Sequence, residues 1–534
     1  MKVLITENIA KEGIEILERE GLEADLKLGL SREELLDTVG PYDAIIVRSV
    51  TKVNSELLGC APNLKVVGRA GNGIDNIELP ACTKRGIIVV NTPESNTMAA
   101  AELAIGLIFS VFRNIPQASA AGRRKDFRRK RFDGIELDGK TVGIIGLGRI
   151  GSIVATKLKG CNMSAVAYDP YITDERFKKL GVDKCETLEE LLDKSDVITL
   201  HTPKTEETVG MIGEKEIARC KKGIVIINAA RGGLVNEDAL YNAVRSGHVR
   251  GAGIDVLNPE PGYDKSPEEQ TYTNKLLELD NIIITPHLGA STAEATYLVG
   301  TAVSELVAAA LKGEMVAAVN MPSFGGNQLK ELKPYLELGE ILGKIYYQAE
   351  KETVQKVEVM YSGELAQLET GIITSSVLKG LLDPIVREKV NYVNAEFLLR
   401  EMGVEIVEGN KTLLDKYTNL ITVTFHTKFK TLSVSGTVFA KEEKRIVDFF
   451  GYKLDFEPSS HIIAIQNIDK PGIIGQVGTI LGAKGVNIAA MQWSRNRKGE
   501  KAVSFVSVDH EVDFEIMQKL RQIDGVLLAT MMNF

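Results

Sequence analysis

The clearest chemical pattern lies in the first half of the chain, where the sequence GLGRIG runs from Gly146 to Gly151. It follows an apolar run, 141–145, that predicts a β-strand, and Asp169 stands at the end of the next predicted strand. In such a unit the first glycine allows a tight turn, the second lets a pyrophosphate approach, and the third lets the helix pack on the strand. A carboxylate in the position of Asp169 binds an adenosine ribose and repels a 2′-phosphate. The pattern predicts a site for NAD rather than NADP, although a plain glycine-rich turn and a turn aspartate would show the same residues.

Three residues that could bind a small acid and move a proton follow at the ends of later predicted strands: Arg231, Glu260 and His287. A guanidinium can hold a carboxylate through two parallel hydrogen bonds. A histidine can accept a hydroxyl proton near neutral pH, and a neighbouring carboxylate can orient its ring. With a dinucleotide beside them, these residues predict hydride transfer to or from a hydroxy acid. The plainer alternatives are a surface arginine, a solvated turn carboxylate and a structural histidine.

Two further arginines stand at strand ends early in the chain: Arg48, followed by Ser49, and Arg69, followed by Asn72 and Gly73. The carboxyl ends of parallel strands open on one crevice, so we expect both arginines to face the cleft. They predict a second anionic group on the substrate. A structural salt bridge is the alternative for either arginine.

These residues require elements that bring strand ends together, and the sequence predicts two α/β units that can do so. Short β-branched runs alternate with helical stretches over 1–95, and a second series of strands and helices occupies 96–290. A long helix from about residue 96 leads into the second unit. Ser291 to Glu294 predict a capping box for a helix that returns to the first unit within 291–320. The fold class is therefore α/β, with two doubly wound parallel sheets joined twice around a hinged cleft: a flavodoxin-like substrate domain and a Rossmann NAD domain.

Two smaller domains are predicted after the catalytic pair. Residues 321–458 combine a long helical stretch with alternating strands, which indicates a mixed α/β intervening domain. Residues 459–534 read strand, helix, strand, strand, helix, strand, the order of a ferredoxin-like fold.

Composition excludes several other classes of protein. The 534 residues, 44% of them apolar, are enough for about three to five domains, and the formal charge of −8 argues against a general nucleic-acid binder. The chain opens with a strand-like run, without a signal peptide, and lacks the roughly 20 apolar residues in a row that span a bilayer. We therefore expect a cytoplasmic protein without nucleic-acid, membrane or metal partners. The five cysteines form neither a disulfide framework nor a zinc motif: Cys60, Cys82, Cys161, Cys185 and Cys220.

Six motifs together resemble the D-isomer-specific 2-hydroxyacid dehydrogenase family over residues 1–320: GLGRIG, YDP (168–170), HTP (201–203), NAARGG (228–233), DVLNPEP (255–261) and PHLGAST (286–292). The resemblance implies that Arg231 binds the substrate carboxyl and polarises its carbonyl, that Glu260 partners the histidine, and that His287 is the acid/base. The segment 262–276 is longer than the family usually has. The NAD contacts that the resemblance and the motif imply are Gly146, Gly148, Arg149, Ile150, Gly151, Asp169, His201, Thr202, Pro203, Ala229, Ala230, Asp255, Gly289 and Ala290.

The segments VRSVTKV, VVGRAGNGIDNI and NTPESNTMAAAEL resemble the branch of this family that oxidises 3-phospho-D-glycerate to 3-phosphohydroxypyruvate, the first step toward L-serine. That resemblance implies that Asn72 and Gly73 contact the substrate carboxyl. It also implies that Arg48, beside Ser49, and Arg69 approach the phosphate. The alternatives are a dehydrogenase for another 2-hydroxy acid and a non-catalytic protein that senses NAD.

The C-terminal sequences IQNIDKPG (465–472) and KGVNIAA (484–490) resemble an ACT regulatory domain. The resemblance implies that Asn467, Asp469 and Asn487 bind an effector, L-serine, at a subunit interface of a homodimer or homotetramer. An ordinary ferredoxin-like domain is the alternative. Residues 321–458 resemble the intervening domain of long family members, which can bind an anion, though the sequence does not indicate where.

The basic run from Arg123 to Arg131 has two interpretations. Such a run is most often a solvated face. In the family it lies near a dimer contact, so it could instead bring cations toward the substrate of a neighbouring subunit.

Overall fold

A computed structural model describes residues 1–262, 266–323, 329–386, 390–411, 417–440 and 442–534, with the side chain of Leu329 left out. Four β-sheets organise these residues, one for each of the predicted units.

The first sheet is parallel throughout and has the flavodoxin-like strand order β2-β1-β3-β4-β5. Both faces of the sheet are covered, so a run such as 44–47 is fully buried. Its strands are β1 (Lys2–Ile5), β2 (Glu23–Leu26), β3 (Ala44–Val47), β4 (Val66–Arg69) and β5 (Ile88–Asn91), and its helices are α1 (Lys11–Arg19), α2 (Arg32–Thr38), α3 (Ser55–Cys60) and α4 (Leu79–Lys84).

The second sheet is also parallel and has the order β12-β11-β10-β9-β6-β7-β8. The strand order reverses between β6 and β9, which is where a doubly wound sheet opens a crevice for a dinucleotide. Its strands are β6 (Thr141–Ile145), β7 (Ser164–Tyr168), β8 (Asp183–Lys184), β9 (Val197–Leu200), β10 (Ile224–Asn228), β11 (Val249–Ile254) and β12 (Ile282–Ile284). Its helices are α5 (Thr97–Arg113), α6 (Ile115–Arg123), α7 (Arg149–Lys159), α8 (Asp174–Leu180), α9 (Leu188–Lys194), α10 (Glu214–Arg219) and α11 (Glu237–Arg245).

Two helices cross between these sheets. Helix α5 packs against β10 and β11, and α12 (Ala293–Leu311) returns to the first sheet, where Val303 and Val307 lie over Gly68. The predicted cap was wrong by one residue, because Thr292 rather than Ser291 accepts the capping bond, from the amide of Ala295 at 3.0 Å. By length and composition α12, and the pair α5 and α6 despite its 64° bend, could cross a membrane. Half of α12 is buried in the protein, however, as in a core helix of a globular domain.

The third sheet is mixed, with the order β14-β13-β15-β16-β17-β18, and only β13 and β14 are parallel. Its elements are α13 (Leu329–Ala349), β13 (Lys356–Gly363), α14 (Gly371–Leu382), α15 (Ala395–Glu401), β14 (Glu405–Lys411), β15 (Asn419–His426), β16 (Thr431–Phe439), β17 (Glu443–Phe449) and β18 (Tyr452–Phe456).

The fourth sheet is antiparallel, with the order β20-β21-β19-β22 and the predicted ferredoxin-like connections. Its elements are β19 (Ile462–Ile468), α16 (Ile473–Ala483), β20 (Ile488–Arg495), β21 (Lys501–Val508), α17 (Phe514–Arg521) and β22 (Val526–Met532). The predicted fold class is confirmed.

The last two sheets share one hydrophobic core. The ring of Phe505 in β21 lies 4.8 Å from Phe449 and 4.4 Å from Phe456, measured between ring centroids. The predicted division at 458/459 thus falls between two sheets that pack as one body. The division into four domains remains our proposal.

Candidate active site

The GLGRIG loop leaves β6 with the backbone geometry that a pyrophosphate site needs. Gly146 has a positive φ of 91°, and a Cβ there would lie 2.8 Å from the carbonyl oxygen of His201. A Cβ on Gly151 would lie 2.1 Å from the carbonyl oxygen of Gly146. At Gly148 a Cβ would meet no atom within 4 Å, so the loop opens on space at the point where a ligand must approach.

Helix α7 begins directly after this open glycine. Gly148 is its N-cap residue and offers no side-chain cap, so the amides of the first turn face the same space. Asp169 lies beside the loop, and its two carboxylate oxygens accept hydrogen bonds from the amides of Leu147 at 2.8 Å and Tyr171 at 3.0 Å. The loop, the helix start and the oriented carboxylate fit the pyrophosphate and the ribose of a dinucleotide.

The segment after β9 forms a wall of this crevice. The amide of His201 donates to the carbonyl of Ile145 at 2.8 Å, and its ring contacts the Thr199 hydroxyl at 3.0 Å. Burial lowers the pKa of His201 to about 4, so the ring is neutral at pH 7. His201 and Thr202 therefore lie beside Gly146 without adding charge, and contact of His201, Thr202 and Pro203 with NAD stays a prediction.

The turn after β10 places Ala229, Ala230 and Arg231 in the same crevice. Asn228 fixes the turn, because its side chain accepts from the Ala230 amide at 3.2 Å and donates to the Arg231 carbonyl at 2.9 Å. The two alanines leave room beside the backbone, and the Arg231 guanidinium extends toward the first domain.

Asp255 fixes the loop that carries the predicted acid/base. Its side chain is 1% exposed and accepts three hydrogen bonds, from the Thr285 hydroxyl at 2.6 Å, the Leu288 amide at 2.7 Å and the Gly289 amide at 3.0 Å. The carboxylate is thus directed into the loop that ends at Ala290. Contact of Asp255, Gly289 and Ala290 with NAD stays a prediction.

His287 and Glu260 meet as predicted. The Nδ1 atom of His287 lies 3.0 Å from Oε2 of Glu260. The side chains are 29% and 37% exposed, so the pair sits at the cleft surface. His287 adopts a positive φ of 54°, which the Asp255-bound loop imposes. The sequence order of these residues did not reveal that strained backbone.

The three arginines approach one another across the cleft, two from the first domain and one from the second. Nε of Arg231 lies 3.1 Å from Oδ2 of Asp75, an ion pair between the second and the first domain. Arg69 is partly buried and its Nη1 donates to the Ala70 carbonyl at 2.7 Å. Burial and then the charge of Arg231, with a smaller contribution from Arg48, lower the pKa of Arg69 to about 10, so it keeps its charge at pH 7. Three cations thus approach one crevice from two domains.

Comparisons with known proteins match this architecture region by region. The D-isomer specific 2-hydroxyacid dehydrogenase NAD binding domain matches residues 105–289, the D-3-phosphoglycerate dehydrogenase intervening domain matches 331–450, and the ACT domain matches 461–525. The chain is 42% identical to D-3-phosphoglycerate dehydrogenase of Methanocaldococcus jannaschii, with 100% of both chains covered. It is 39% identical to the Bacillus subtilis protein of the same name, over 100% of this chain and 99% of the relative.

The chain belongs to the D-3-phosphoglycerate dehydrogenase family. It is an NAD-dependent dehydrogenase, and the predicted cofactor is confirmed. The chain also resembles D-lactate dehydrogenase of Aquifex aeolicus, whose crystal structure is a complex with NAD and lactic acid. That likeness has a TM-score of 0.52 and 31% identity, and covers 58% of this chain and 96% of the other.

Sequence reasoning missed two carboxylates that organise the substrate side of this dehydrogenase. Glu7 follows β1 and accepts hydrogen bonds from the amides of Arg48 at 2.9 Å, Val50 at 3.1 Å and Thr51 at 2.9 Å. Asp75 pairs with Arg231. Glu7 could have been found by the strand-end rule that identified the arginines.

The remaining residues that are predicted to bind substrate lie on two loops of the first domain. Ser49 is exposed next to Arg48, in the loop bound by Glu7. The loop with Asn72 and Gly73 is tied to β5, because the Asn91 side chain donates to the Asn72 carbonyl at 2.7 Å. Both loops lie at the carboxyl edge of the first sheet, facing the second domain.

The predicted effector residues of this family member do not meet within one chain. Asn467 is 1% exposed at the end of β19, paired with Ala502, whereas Ile488 at the start of β20 pairs with Val508. Asn487, one residue earlier, therefore lies at the opposite end of the sheet from Asn467. Asp469, on the Asn467 side, accepts from Arg495 at 2.6 Å and from the Gly499 amide at 3.1 Å.

Two other predicted segments are mostly exposed where the structure describes them. In the basic run, Asp126 binds Arg128 at 2.6 Å and Arg131 at 2.5 Å, so part of the positive charge is paired locally. In the long segment 262–276, residues 263–265 are outside the described part of the chain. Tyr272 in this segment donates to the Pro259 carbonyl at 2.8 Å, which ties the segment to the loop that carries Glu260.

Proposed function

We propose that this enzyme oxidises 3-phospho-D-glycerate to 3-phosphohydroxypyruvate with NAD, at the first step of L-serine biosynthesis in the cytoplasm. The observation that carries the proposal is the approach of Arg48, Arg69 and Arg231 to one another across the cleft, in a fold whose second domain also carries the His287–Glu260 pair. A substrate with a carboxylate and a phosphate needs this cationic wall, and a hydroxyl to be oxidised needs the base. The names of the relatives support the same reaction.

In this proposal the protein's own groups bind the acid and move one proton. Arg231, with the backbone of Asn72 and Gly73, holds the carboxylate and polarises the C2 oxygen, while Arg48 and Arg69 approach the phosphate. His287 uses Nδ1 to bind Glu260, so its Nε2 takes the hydroxyl proton. The Glu260 carboxylate then stabilises the imidazolium that forms. NAD, when bound by the GLGRIG loop, the helix α7 start and Asp169, supplies the hydride acceptor.

The regulatory part of the proposal requires two chains. Asn467 and Asp469 lie at one end of the ACT sheet and Asn487 at the other, so one chain cannot surround a molecule as small as serine with all three. A homodimer or homotetramer could join the two ends from different subunits. Short polar side chains there can bind both the amine and the carboxylate of L-serine. The basic run 123–131 is either a solvated face or a source of cations for a neighbouring subunit's cleft.

NADH absorbance tests the reaction directly. We expect NADH to form from NAD and 3-phospho-D-glycerate, with kcat/KM well above that for D-glycerate or D-lactate, and we expect added L-serine to slow it. Equal turnover of D-glycerate would contradict the phosphate assignment. Tight NADH binding with no turnover of any of the three acids would contradict catalysis and favour an NAD sensor. Unchanged rates with L-serine would contradict only the regulatory part.

A further inference from the structure

The ion pair between Asp75 and Arg231 is the contact that joins the two cleft domains at the predicted carboxylate site. Asp75 stands in the loop after β4 of the first domain, and Arg231 stands in the turn after β10 of the second. We propose that Asp75 is a positioning residue: from across the cleft it sets the orientation of the Arg231 guanidinium, so that domain closure and assembly of the carboxylate site are one event. This inference rests on the proposed role of Arg231 in binding the substrate.

The guanidinium is anchored once from each domain. Its Nε donates to Oδ2 of Asp75 at 3.1 Å, and its Nη1 donates to the carbonyl oxygen of Ala230 at 2.7 Å. A planar group held at two of its nitrogens has a fixed plane and a fixed direction. The Ala230 bond belongs to the second domain alone, so a wider cleft would keep that bond and lose the one to Asp75.

The third nitrogen is directed at the loop that is predicted to share the substrate carboxylate. A Cβ on Gly73 would lie 2.0 Å from Nη2 of Arg231 and 2.8 Å from Oδ2 of Asp75. The Gly73 backbone therefore packs directly against both partners, and a side chain there would displace the guanidinium from this position. Asp75 thus holds Nη2 next to the Asn72–Gly73 loop, where a carboxylate can bind guanidinium and loop together.

Charge balance supports the same role. Arg69 lies partly buried nearby. Burial and then the positive charge of Arg231 lower the pKa of Arg69, whereas the charge of Asp75 acts to raise it. Without Asp75, the guanidinium of Arg231 would lose its attraction to the first domain and keep its repulsion from Arg69. The expected result is a displacement of Arg231 away from the Gly73 loop.

The exposure of the Asp75–Arg231 ion pair favours a role in catalysis over a role in folding stability. The side chains of Asp75 and Arg231 are 58% and 25% exposed. An ion pair that is open to water contributes little to folding stability. Loss of Asp75 should therefore change catalysis while the melting temperature and the affinity for NADH stay close to wild type.

The test compares Asp75→Asn with Asp193→Asn, the matched control. Asp193 pairs with Arg219 at 2.6 Å, is 48% exposed, and lies within the second domain rather than across the cleft. We expect Asp75→Asn to lower kcat/KM about 10- to 100-fold, because an ångström-scale misplacement of a binding group costs up to about that much. Asp193→Asn should stay within about twofold of wild type, the range of an exposed ion pair.

A double-mutant cycle assigns the effect to the pair. In an Arg231→Ala background, we expect Asp75→Asn to change kcat/KM by less than about twofold, because the group that it positions is gone. A full-sized effect in that background would overturn the proposal, and so would an Asp75→Asn enzyme that matches wild type. The effect of Asp75→Asn on kcat/KM, with and without Arg231, is measured with whichever D-2-hydroxy acid the wild type oxidises. Failure of 3-phospho-D-glycerate as a substrate would therefore refute the proposed function without refuting this inference.

Discussion

The catalytic cleft and the ACT domain differ in how they arrange their predicted ligand-binding residues: the cleft brings them together, and the ACT domain keeps them apart. In the cleft, residues from distant parts of the chain meet: Arg231 contacts Asp75 at 3.1 Å, and His287 contacts Glu260 at 3.0 Å. In the ACT sheet, Asn467 and Asn487 are close in sequence and lie at opposite ends. The two contacts in the cleft form within one chain, whereas the proposed effector site would need residues from a second chain. Catalysis and regulation should therefore respond differently to single substitutions and to mixing of chains.

The largest effect is expected from removal of the proposed general base, His287. His287→Ala should lower turnover about 10²- to 10⁴-fold, the usual contribution of a general base, with NADH affinity nearly kept. The matched control is His426→Ala, because His426 also pairs with a glutamate, Glu358 at 3.1 Å, but in the intervening domain. Steady-state assays and NADH fluorescence titration measure both. Wild-type turnover by the His287 variant would show that the acid/base assignment is wrong.

The next effect concerns the choice of cofactor. Asp169→Asn keeps the size of the side chain but removes the negative charge that repels a 2′-phosphate. We expect the preference for NAD over NADP, as a ratio of kcat/KM values, to fall about tenfold or more, which corresponds to about 1.4 kcal/mol. Asp183→Asn, at the exposed start of the neighbouring strand β8, is the control. An unchanged ratio of kcat/KM values would contradict the assignment of Asp169 to binding of the adenosine ribose.

A smaller loss of kcat/KM is expected when a new side chain at position 73 displaces the Arg231 guanidinium. In Gly73→Ala the new Cβ meets the far end of a flexible side chain, so Arg231 moves and the fold is kept. kcat/KM should fall about tenfold, consistent with misplacement of a binding group, while the melting temperature changes little. Gly59→Ala in α3, where a Cβ meets nothing within 4 Å, is the control. If Gly73→Ala melted far below wild type, the loop would be structural rather than functional.

Mixing of chains tests the difference between the two sites. Asn467→Ala and Asn487→Ala should each lose the slowing by L-serine, measured against the same variant without serine. Oligomers that contain both variants should regain part of it, because one interface can combine an intact Asn467 with an intact Asn487 from the other chain. Gln476→Ala on exposed α16 serves as the control. Failure of the mixture to respond would contradict a site shared between chains.

Acid should destabilise the catalytic half through His201. Burial lowers the pKa of His201 from 6.5 to about 4, so the folded state binds fewer protons than the unfolded state between those values. Its contribution to stability is fully present above pH 6.5 and is lost as the pH falls toward 4. The free energy of unfolding should decrease by about 1–3 kcal/mol between pH 7 and pH 4.5. Urea unfolding at both values should show a smaller decrease for His201→Gln, and equal decreases would refute the assignment.

Much of the catalytic half followed from local sequence patterns, because its motifs are governed by rules that act over a few residues. The GLGRIG loop needs glycines where backbone and ligand approach, and the parallel strands read as apolar runs because both faces are covered. Strand-end positions then placed Arg48, Arg69 and Arg231 on one crevice. The cap of α12 was misplaced by one residue, because Ser291 and Thr292 are both good cap residues and only the packed helix selects one.

The sequence by itself determined the fold class, the cofactor and the groups available for chemistry, since these depend on residue type and spacing along the chain. Only the tertiary structure decided which charges face each other. It showed that Asp75 reaches Arg231, that Glu7 organises the Arg48 loop, that Asp255 holds the loop of His287, and that Asn467 and Asn487 are apart. Electrostatic and hydrogen-bond partners are set by distances in space, and those distances follow from how the sheets pack.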